Sequence, residues 1–305
     1  MGNQLLYGAT VLIWGSTWYA IKLQLGTVEP DLSVAYRFVL AAAALVAFCL
    51  ATGRRLRFAP RHHVFIAAQG FFLFSLNYWL LYNATFALTT GVIAVVFSLI
   101  LLMNILNGAL LFGTRVEPRV LAAAVLGLVG IALVFRRELV ALDLTGGRMV
   151  GLGISILGTY SASLGNMASL RNQRARLPVI EVNALGMAYG AVFSLALALL
   201  RGAPLAFEWT VPYVGALAYL AIFGSVLGFG FYLTLLGRIG ADRAAYSAVL
   251  FPVVALAIST LLEDYRWSIP SLAGVALILG GNLLALVPAR RRPATVTAQP
   301  AEPAG

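Results

Sequence analysis

The side chains of this chain that could do chemistry are aromatic rings and amides set in apolar segments. Trp14 and Trp18 are four residues apart, as Tyr78 and Tyr82 are, and Asn104 stands in a further apolar run. On a helix with 3.6 residues per turn, each of these aromatic pairs shares a face. Aromatic faces stack on a ring or hold an ammonium, while amides and hydroxyls bind a zwitterion without adding net charge. The combination is typical of a cavity for a small neutral molecule that carries both charges.

Eleven residues carry this prediction of a substrate-binding site. They come from five of the apolar segments and are Trp14, Thr17, Trp18, Asn77, Tyr78, Tyr82, Ser98, Asn104, Tyr160, Asn166 and Tyr246. Other roles are open at this point, because tryptophan and tyrosine also anchor helices at a membrane interface and amides also tie helices together. Arg37 could meet a substrate carboxylate, but so close to a segment end we expect it to snorkel or to form a structural pair.

Carboxylates are absent from the middle of the apolar segments and cluster near their ends, as Glu29, Asp31, Glu263 and Asp264 do. Proton relays in membranes usually employ buried carboxylates or histidines, so we expect transport without such a relay. A membrane-embedded enzyme is the alternative from another class. It needs a nucleophile with its base, paired aspartates or a metal cluster, and two adjacent loop histidines with one cysteine supply none of these. We predict no catalytic residue, no metal site and no cofactor.

The composition indicates which elements must position these residues. Of 305 residues, 61% are hydrophobic and only 10% are charged. The mean hydropathy is +0.92. So few charges cannot cover a surface that faces water, and about 20 apolar residues span a bilayer as a helix. We therefore predict an all-α polytopic membrane protein with ten transmembrane helices, near residues 4–22, 32–52, 63–84, 90–112, 118–136, 148–170, 178–200, 210–236, 242–262 and 268–288.

The basic residues predict the orientation of these helices. With the N-terminus in the cytoplasm, the loops on that side hold fourteen of the 21 Lys and Arg residues and the opposite loops hold six. The positive-inside rule then places both termini in the cytoplasm. Because the basic residues are scattered over short loops, the formal charge of +10 does not predict nucleic-acid binding. The lipid bilayer and a small-molecule substrate are the expected partners.

An offset of 150 residues relates the two halves of the chain. It pairs Ser75 with Ser225 and Tyr82 with Tyr232, and the basic residues move to the opposite set of loops in the second half. Five helices per half is an odd number, so the second half enters the membrane upside down, as in transporters built from inverted repeats. We predict a first five-helix repeat at residues 1–137, an inverted second repeat at 147–289, and a disordered cytoplasmic tail at 290–305.

Several short motifs lie in a fixed order within these ten segments. They are Leu12-Ile13-Trp14-Gly15-Ser16 and Tyr36-Arg37-Phe38 in the first half, and Phe251-Pro252, Leu262-Glu263, Gly274 and Gly280 in the second. Over residues 1–290 the chain resembles the EamA-type branch of the drug/metabolite transporter superfamily, and within it bacterial exporters of aromatic amino acids. The first half has Leu102 and Gly113 where the second has Pro252 and Glu263, so no role of that motif is carried over to the first half.

The resemblance implies two inverted five-helix repeats and export of small metabolites. Together with the aromatic and amide candidates, it leads us to predict an exporter of small neutral metabolites, including aromatic amino acids, that works by alternating access. A passive channel would need a continuous polar pore, which aromatic crowding opposes. An exporter of another metabolite or of a drug remains an alternative, although a cationic drug would call for a buried carboxylate.

Overall fold

The computed structural model describes residues 1–24, 26, 28–88, 90–140, 147–262 and 267–286, and every regular element among them is helical. The tail predicted to be disordered, residues 290–305, lies outside this part of the chain, and so do Glu263 and Asp264. For Trp18 the structure describes the backbone only.

Among the described residues ten long helices follow one another, and each overlaps one of the predicted segments. They are α1 (Asn3–Lys22), α2 (Pro30–Ala51), α3 (Pro60–Ala84), α4 (Thr90–Ser98 continued by Ile100–Phe112), α5 (Pro118–Val134), α6 (Gly147–Arg174), α7 (Val179–Leu200), α8 (Val211–Ile239), α9 (Ala241–Ala245, Tyr246–Leu250 and Phe251–Leu262 end to end) and α10 (Ile269–Leu286). A short helix, Arg136–Val140, follows α5.

Proline and glycine mark the ends of several helices. Pro30, Pro60 and Pro118 stand in the first turn of α2, α3 and α5, where a missing N–H costs nothing because the first four N–H groups have no partner inside the helix. Gly113 ends α4 in the left-handed conformation with φ of 63°, which a residue without Cβ adopts freely.

The surface of the bundle is suited to lipid. Within the described residues, six helices are long and apolar enough to cross a membrane, and α5 and α10 are apolar but shorter. Large apolar side chains such as Leu110, Leu200 and Leu283 are more than two-thirds exposed, which a water-soluble protein rarely allows over a whole surface. The first helix of each half, α1 and α6, is less apolar because it carries polar side chains into the interior, including Thr10, Thr17, Ser155, Thr159 and Asn166.

Helix contacts repeat when every helix number is shifted by five. Helix α1 packs on α8 and α9, and α6 packs on α3 and α4. Similarly, α2 lies on α7 and α8, and α7 lies on α2 and α3, while α5 pairs with α10. Each half therefore completes its packing with helices from the other half, and the two halves form one interleaved bundle.

Two ion pairs define the relative direction of α2 and α7. Asp31, in the first turn of α2, accepts a bond of 2.7 Å from Arg201, which follows the last turn of α7. Glu181, in the first turn of α7, accepts a bond of 3.1 Å from Arg54, which follows α2. The start of each helix thus meets the end of the other, so α2 and α7, the second helices of the two halves, run antiparallel.

Irregular backbone occurs at matching places in the two halves. Helix α3 contains a π-helical stretch at Phe72–Leu76, and α8 contains one at Leu220–Leu227, which covers the positions 150 residues later. Helix α4 is interrupted at Leu99, and α9 is 3-10 helical over Tyr246–Leu250. π-helical stretches often stand at functional sites, and interrupted helices in corresponding positions of two halves mark the binding region of many transporters.

Candidate functional site

The π-helical stretch of α8 receives the side chain of Trp14. The N–H of Gly228 donates to the carbonyls of Phe223 and Ser225 and bypasses that of Gly224. The indole Nε1–H of Trp14 donates instead to the Gly224 carbonyl at 2.8 Å. The irregular backbone therefore gives α1 a hydrogen-bonding partner in the second half of the chain, which a regular α-helix would have kept for itself.

Three rings surround the indole of Trp14. Its centroid lies 4.8 Å from that of Phe229, 4.9 Å from that of Tyr232 and 5.5 Å from that of Phe251. These distances and the mostly edge-to-face angles are those that aromatic pairs prefer. Trp14 is only partly buried, so this aromatic cluster keeps some of its ring surface open to a cavity or to solvent.

The side chain of Arg37, on α2, reaches the same stretch of α8 that receives Trp14. Its side chain does not snorkel, contrary to the expectation from its place near a helix end, because it is only 2% exposed. The Nε–H donates to Ser225 Oγ at 2.8 Å, and the guanidinium lies 5.0 Å from the ring of Tyr78. An added Cβ on Gly224 would lie 3.1 Å both from Arg37 Nη2 and from Thr17 Cγ2. Glycine at this position lets α1 and α2 approach α8 together.

Asn104 and Asn166 form a second polar group, and Tyr232 links this group to the ring of Trp14. Asn166 donates to the Tyr232 hydroxyl at 3.0 Å and, more weakly, to Asn104 Oδ1 at 3.5 Å. Asn104 in turn donates to the Ala241 carbonyl at 3.3 Å, between α8 and α9. The Oδ1 of Asn166 is buried and has no hydrogen-bond partner among the described residues, so an acceptor is available in this group.

A cavity of about 240 Å³ reaches this second group from one end of the bundle. Asn104 lies in its wall, together with Gly237, Gly240 and residues of the loop between α4 and α5. Arg115, Arg174 and Asp242 also line it, so its wall contains charged side chains beside apolar ones. Since the basic loops of the sequence include Arg115 and Arg174, this is the end that the charge distribution assigns to the cytoplasm.

The structure brings six of the eleven sequence-predicted residues into one continuous region. Trp14, Thr17 and Tyr78 lie around the π-helical stretch of α8, and Asn104 and Asn166 form the second group. Tyr82 is 6% exposed and belongs to the same apolar core as Trp14.

Two more predicted residues have buried side chains. Asn77 is 4% exposed, and its Oδ1 has no hydrogen-bond partner among the described residues. Ser98 is 2% exposed and stands beside the interruption of α4.

Two of the predicted residues lie elsewhere. Tyr160 is 42% exposed and belongs to a stripe with Ile156 and Leu157 on the outer face of α6, because helical spacing turns it away from the buried Thr159 and Ser161. Tyr246 is fully buried in a different apolar cluster, where its hydroxyl donates to the Ala123 carbonyl of α5. We therefore correct both assignments and leave these two tyrosines out of the candidate site. Of Trp18 nothing can be added, since only its backbone is described.

Five contributors were not among the predicted site residues: Arg37, Ser225, Phe229, Tyr232 and Phe251. The 150-residue offset contained a signal for two of them, since it pairs Ser225 with Ser75 and Tyr232 with the predicted Tyr82. For Arg37 the sequence showed a cation near a segment end but not the direction of its side chain, which depends on the neighbouring helix.

Comparison with known proteins agrees with this architecture. The model of the EamA-like transporter family matches the chain twice, at residues 4–136 and 149–287. A relative from Escherichia coli (strain K12), named "Probable amino-acid metabolite efflux pump", is 26% identical over 279 residues, which are 89% of this chain and 90% of the relative. The "Uncharacterized inner membrane transporter YedA" of the same strain is also 26% identical, over 83% of this chain and 80% of the relative.

A solved crystal structure has the same fold, with a TM-score of 0.76 and 22% identity over 93% of this chain and 96% of that chain. The two copies of the family model coincide with the two sets of five helices. The match to the amino-acid metabolite efflux pump covers 90% of that relative's length. The chain is therefore a multi-pass membrane transporter and belongs to the EamA-like transporter family.

Proposed function

We propose that this protein exports small neutral metabolites, most of all amino acids including aromatic ones, across a bacterial inner membrane. The observation that carries the proposal is the site between the halves, where Trp14 of the first half is bonded to Gly224 of the second and surrounded by rings and amides. The names of two relatives, an amino-acid metabolite efflux pump and an inner membrane transporter, point in the same direction.

The mechanism we propose is alternating access between two inverted halves, residues 1–137 and 147–289, with ten membrane crossings and both termini in the cytoplasm. The antiparallel course of α2 and α7 supports the inversion, since equivalent helices run in opposite directions only if one half is upside down. The contacts that repeat with a shift of five helices support it as well. In such transporters the substrate binds between the halves, near the middle of the membrane.

The chemistry of the site suits a zwitterion with an apolar or aromatic remainder. The edges and faces of Trp14, Phe229 and Phe251 can pack against an aromatic side chain. The free Oδ1 of Asn166 and the ring of Tyr232 can receive an ammonium without a buried carboxylate. A sugar would gain little from rings set mostly edge to face.

The route we propose leads from the cytoplasmic cavity at Asn104 past Tyr232 and Trp14. On the far side, hydroxyl pairs join α1 and α2 to α8: Ser16 with Tyr219 at 2.6 Å and Ser33 with Tyr213 at 2.9 Å. Opening of these pairs would release the substrate outward while the cytoplasmic cavity closes.

Counterflow in proteoliposomes tests the proposal. Vesicles loaded with unlabelled phenylalanine should accumulate labelled phenylalanine or tryptophan transiently, and vesicles tested in the same way with a sugar or a lipophilic cation should not. Tyr232→Ala should abolish most of the exchange, whereas Tyr160→Ala, which removes an exposed ring from the outer face of α6, should leave it unchanged. Exchange of the sugar without exchange of any amino acid would refute the proposed substrate class.

A further inference from the structure

Arg37 is a buried cation that forms no ion pair with any described residue. It is 2% exposed, and no carboxylate of the described residues lies within ion-pair distance of its guanidinium. The buried carboxylates of the described helices are occupied elsewhere, Asp31 by Arg201 and Glu181 by Arg54, at the two ends of the α2–α7 pair. A charge inside a membrane protein is costly unless it is paired, so an unpaired one usually marks a functional position.

The guanidinium is held so that part of its fork remains available. Its Nε–H donates a hydrogen bond to Ser225 Oγ. The Ser225 hydroxyl in turn donates to the Leu220 carbonyl at 3.0 Å within the π-helical stretch. The rings of Tyr78 and Phe38 lie 5.0 and 5.5 Å from its central carbon. These contacts, together with a side-chain hydrogen bond between Arg37 and Tyr78, fix the plane of the group. They leave terminal N–H groups without a partner among the described residues, and such a fork can bind a carboxylate through two parallel hydrogen bonds.

The neighbourhood of Arg37 suits the rest of an organic acid. Trp14 binds the carbonyl of Gly224, the residue next to Ser225, and the side chain of Thr17 approaches the same glycine. A carboxylate at Arg37 therefore has an aromatic ring and the methyl group of Thr17 within the same region, since the Thr17 hydroxyl donates to the Trp14 carbonyl. Since a lone guanidinium repels cations, the same arrangement disfavours lipophilic cations.

We propose that Arg37 binds the carboxylate of the transported molecule, with Ser225 and Tyr78 as its positioning residues. This inference rests on the proposed function and extends the substrate class from neutral amino acids to organic monocarboxylates with an apolar or aromatic remainder. The ammonium of an amino acid is then a secondary feature, and an aromatic acid without one is also a substrate.

The test compares three probes that differ only near the carboxylate: phenylalanine, phenylalaninamide, which has no carboxylate, and phenylpyruvate, which has no ammonium. Wild-type vesicles should exchange phenylalanine and phenylpyruvate but not the amide. Arg37→Gln should raise the concentration at half-saturation about 10- to 100-fold for both acids, as expected for the loss of a charge-assisted pair. Arg37→Lys keeps the charge without the fork, so its half-saturation concentration should lie between those of the wild type and Arg37→Gln.

Arg55→Gln is the matched control, because it removes an equal charge from an exposed position just beyond the same helix and should leave half-saturation unchanged. Protection of the purified protein against thermal unfolding by phenylpyruvate provides a second readout. Protection should be reduced in Arg37→Lys and lost in Arg37→Gln, and Arg37→Lys serves as the test if Arg37→Gln does not fold.

The outcomes separate this inference from the proposed function. Equal exchange of phenylalanine and its amide, or an Arg37→Lys variant with wild-type half-saturation for both acids, would overturn the role of Arg37 and leave amino-acid export intact. Exchange of phenylpyruvate without any amino acid, lost on substitution of Arg37, would support the role of Arg37 and refute amino-acid export. Exchange of neither acid would refute both.

Discussion

Two glycines on α10 lie six residues apart and should respond oppositely to the same substitution. A Cβ built on Gly274 would lie 2.5 Å from the carbonyl oxygen of Gly130 and 2.9 Å from the backbone nitrogen of Val134, both on α5. A Cβ on Gly280 meets nothing within 4 Å. Gly274→Ala therefore forces two backbones apart, whereas Gly280→Ala adds a methyl group in open space.

The size of the effect follows from these distances. Ordinary carbon contacts begin at about 3.5 Å, so α5 and α10 must separate by about 1 Å near Gly274, and side chains along the seam lose part of their contact energy. Overpacking of this kind costs about 1–3 kcal/mol. Alanine regains at most about 1 kcal/mol through its better helix propensity. We expect a net loss of about 1–2 kcal/mol for Gly274→Ala and a change between zero and a slight gain for Gly280→Ala.

The measurement is thermal unfolding of the purified variants in the same detergent, followed by tryptophan fluorescence. Gly130→Ala should reproduce the loss, because its Cβ would lie 2.6 Å from the Gly274 carbonyl oxygen. The double variant should lose less than the sum of the two, since one separation relieves both contacts. Equal unfolding temperatures for Gly274→Ala and Gly280→Ala would refute the close backbone approach of α5 and α10.

Three further predictions concern transport, the ion pairs and topology. Trp14→Phe keeps a ring but removes the bond to α8, so exchange should fall several-fold at unchanged expression, with Trp14→Ala lower still; wild-type exchange in both would contradict a role at the site. Asp31→Asn and Arg201→Gln should each lower the unfolding temperature, and the double variant should show a coupling of about 1 kcal/mol, because Asp31 is buried and Arg201 is partly exposed; additive losses would remove the pair as a stabilising contact. A cysteine at the exposed position Glu29 should react with an impermeant maleimide from outside the cell, and one at Arg57 only after permeabilisation, since the native Cys49 is buried; the reverse pattern would invert the proposed orientation.

Much of the fold followed from the sequence. Apolar run length predicted a segment at the place of each long helix among the described residues, because this signal acts within one segment and needs no partner. The lengths of apolar runs did not predict the π-helical stretches, since their formation depends on packing against other helices. Trp14, for example, bonds to a carbonyl that is 210 positions away in the chain.

The sequence predicted which types of residue gather in the interior, aromatic rings and amides. It predicted only some of the individual residues that lie together there. Trp14, Thr17, Tyr78, Asn104 and Asn166 lie in the interior, as expected because polar and aromatic groups in apolar helices tend to face inward, and their role in substrate binding stays a prediction. Tyr160 was misassigned because composition does not reveal which side of a helix faces lipid.

The sequence by itself determined that this chain is a helical membrane protein with two related halves, since hydropathy, loop charge and the 150-residue offset are properties of the chain alone. Only the tertiary structure decided that Arg37 points inward, because α8 supplies Ser225 as its partner. The tertiary structure also decided that α2 and α7 form an antiparallel pair with an ion pair at each end. Side-chain direction and helix pairing depend on contacts between residues far apart in the chain, and those contacts exist only once the helices are packed.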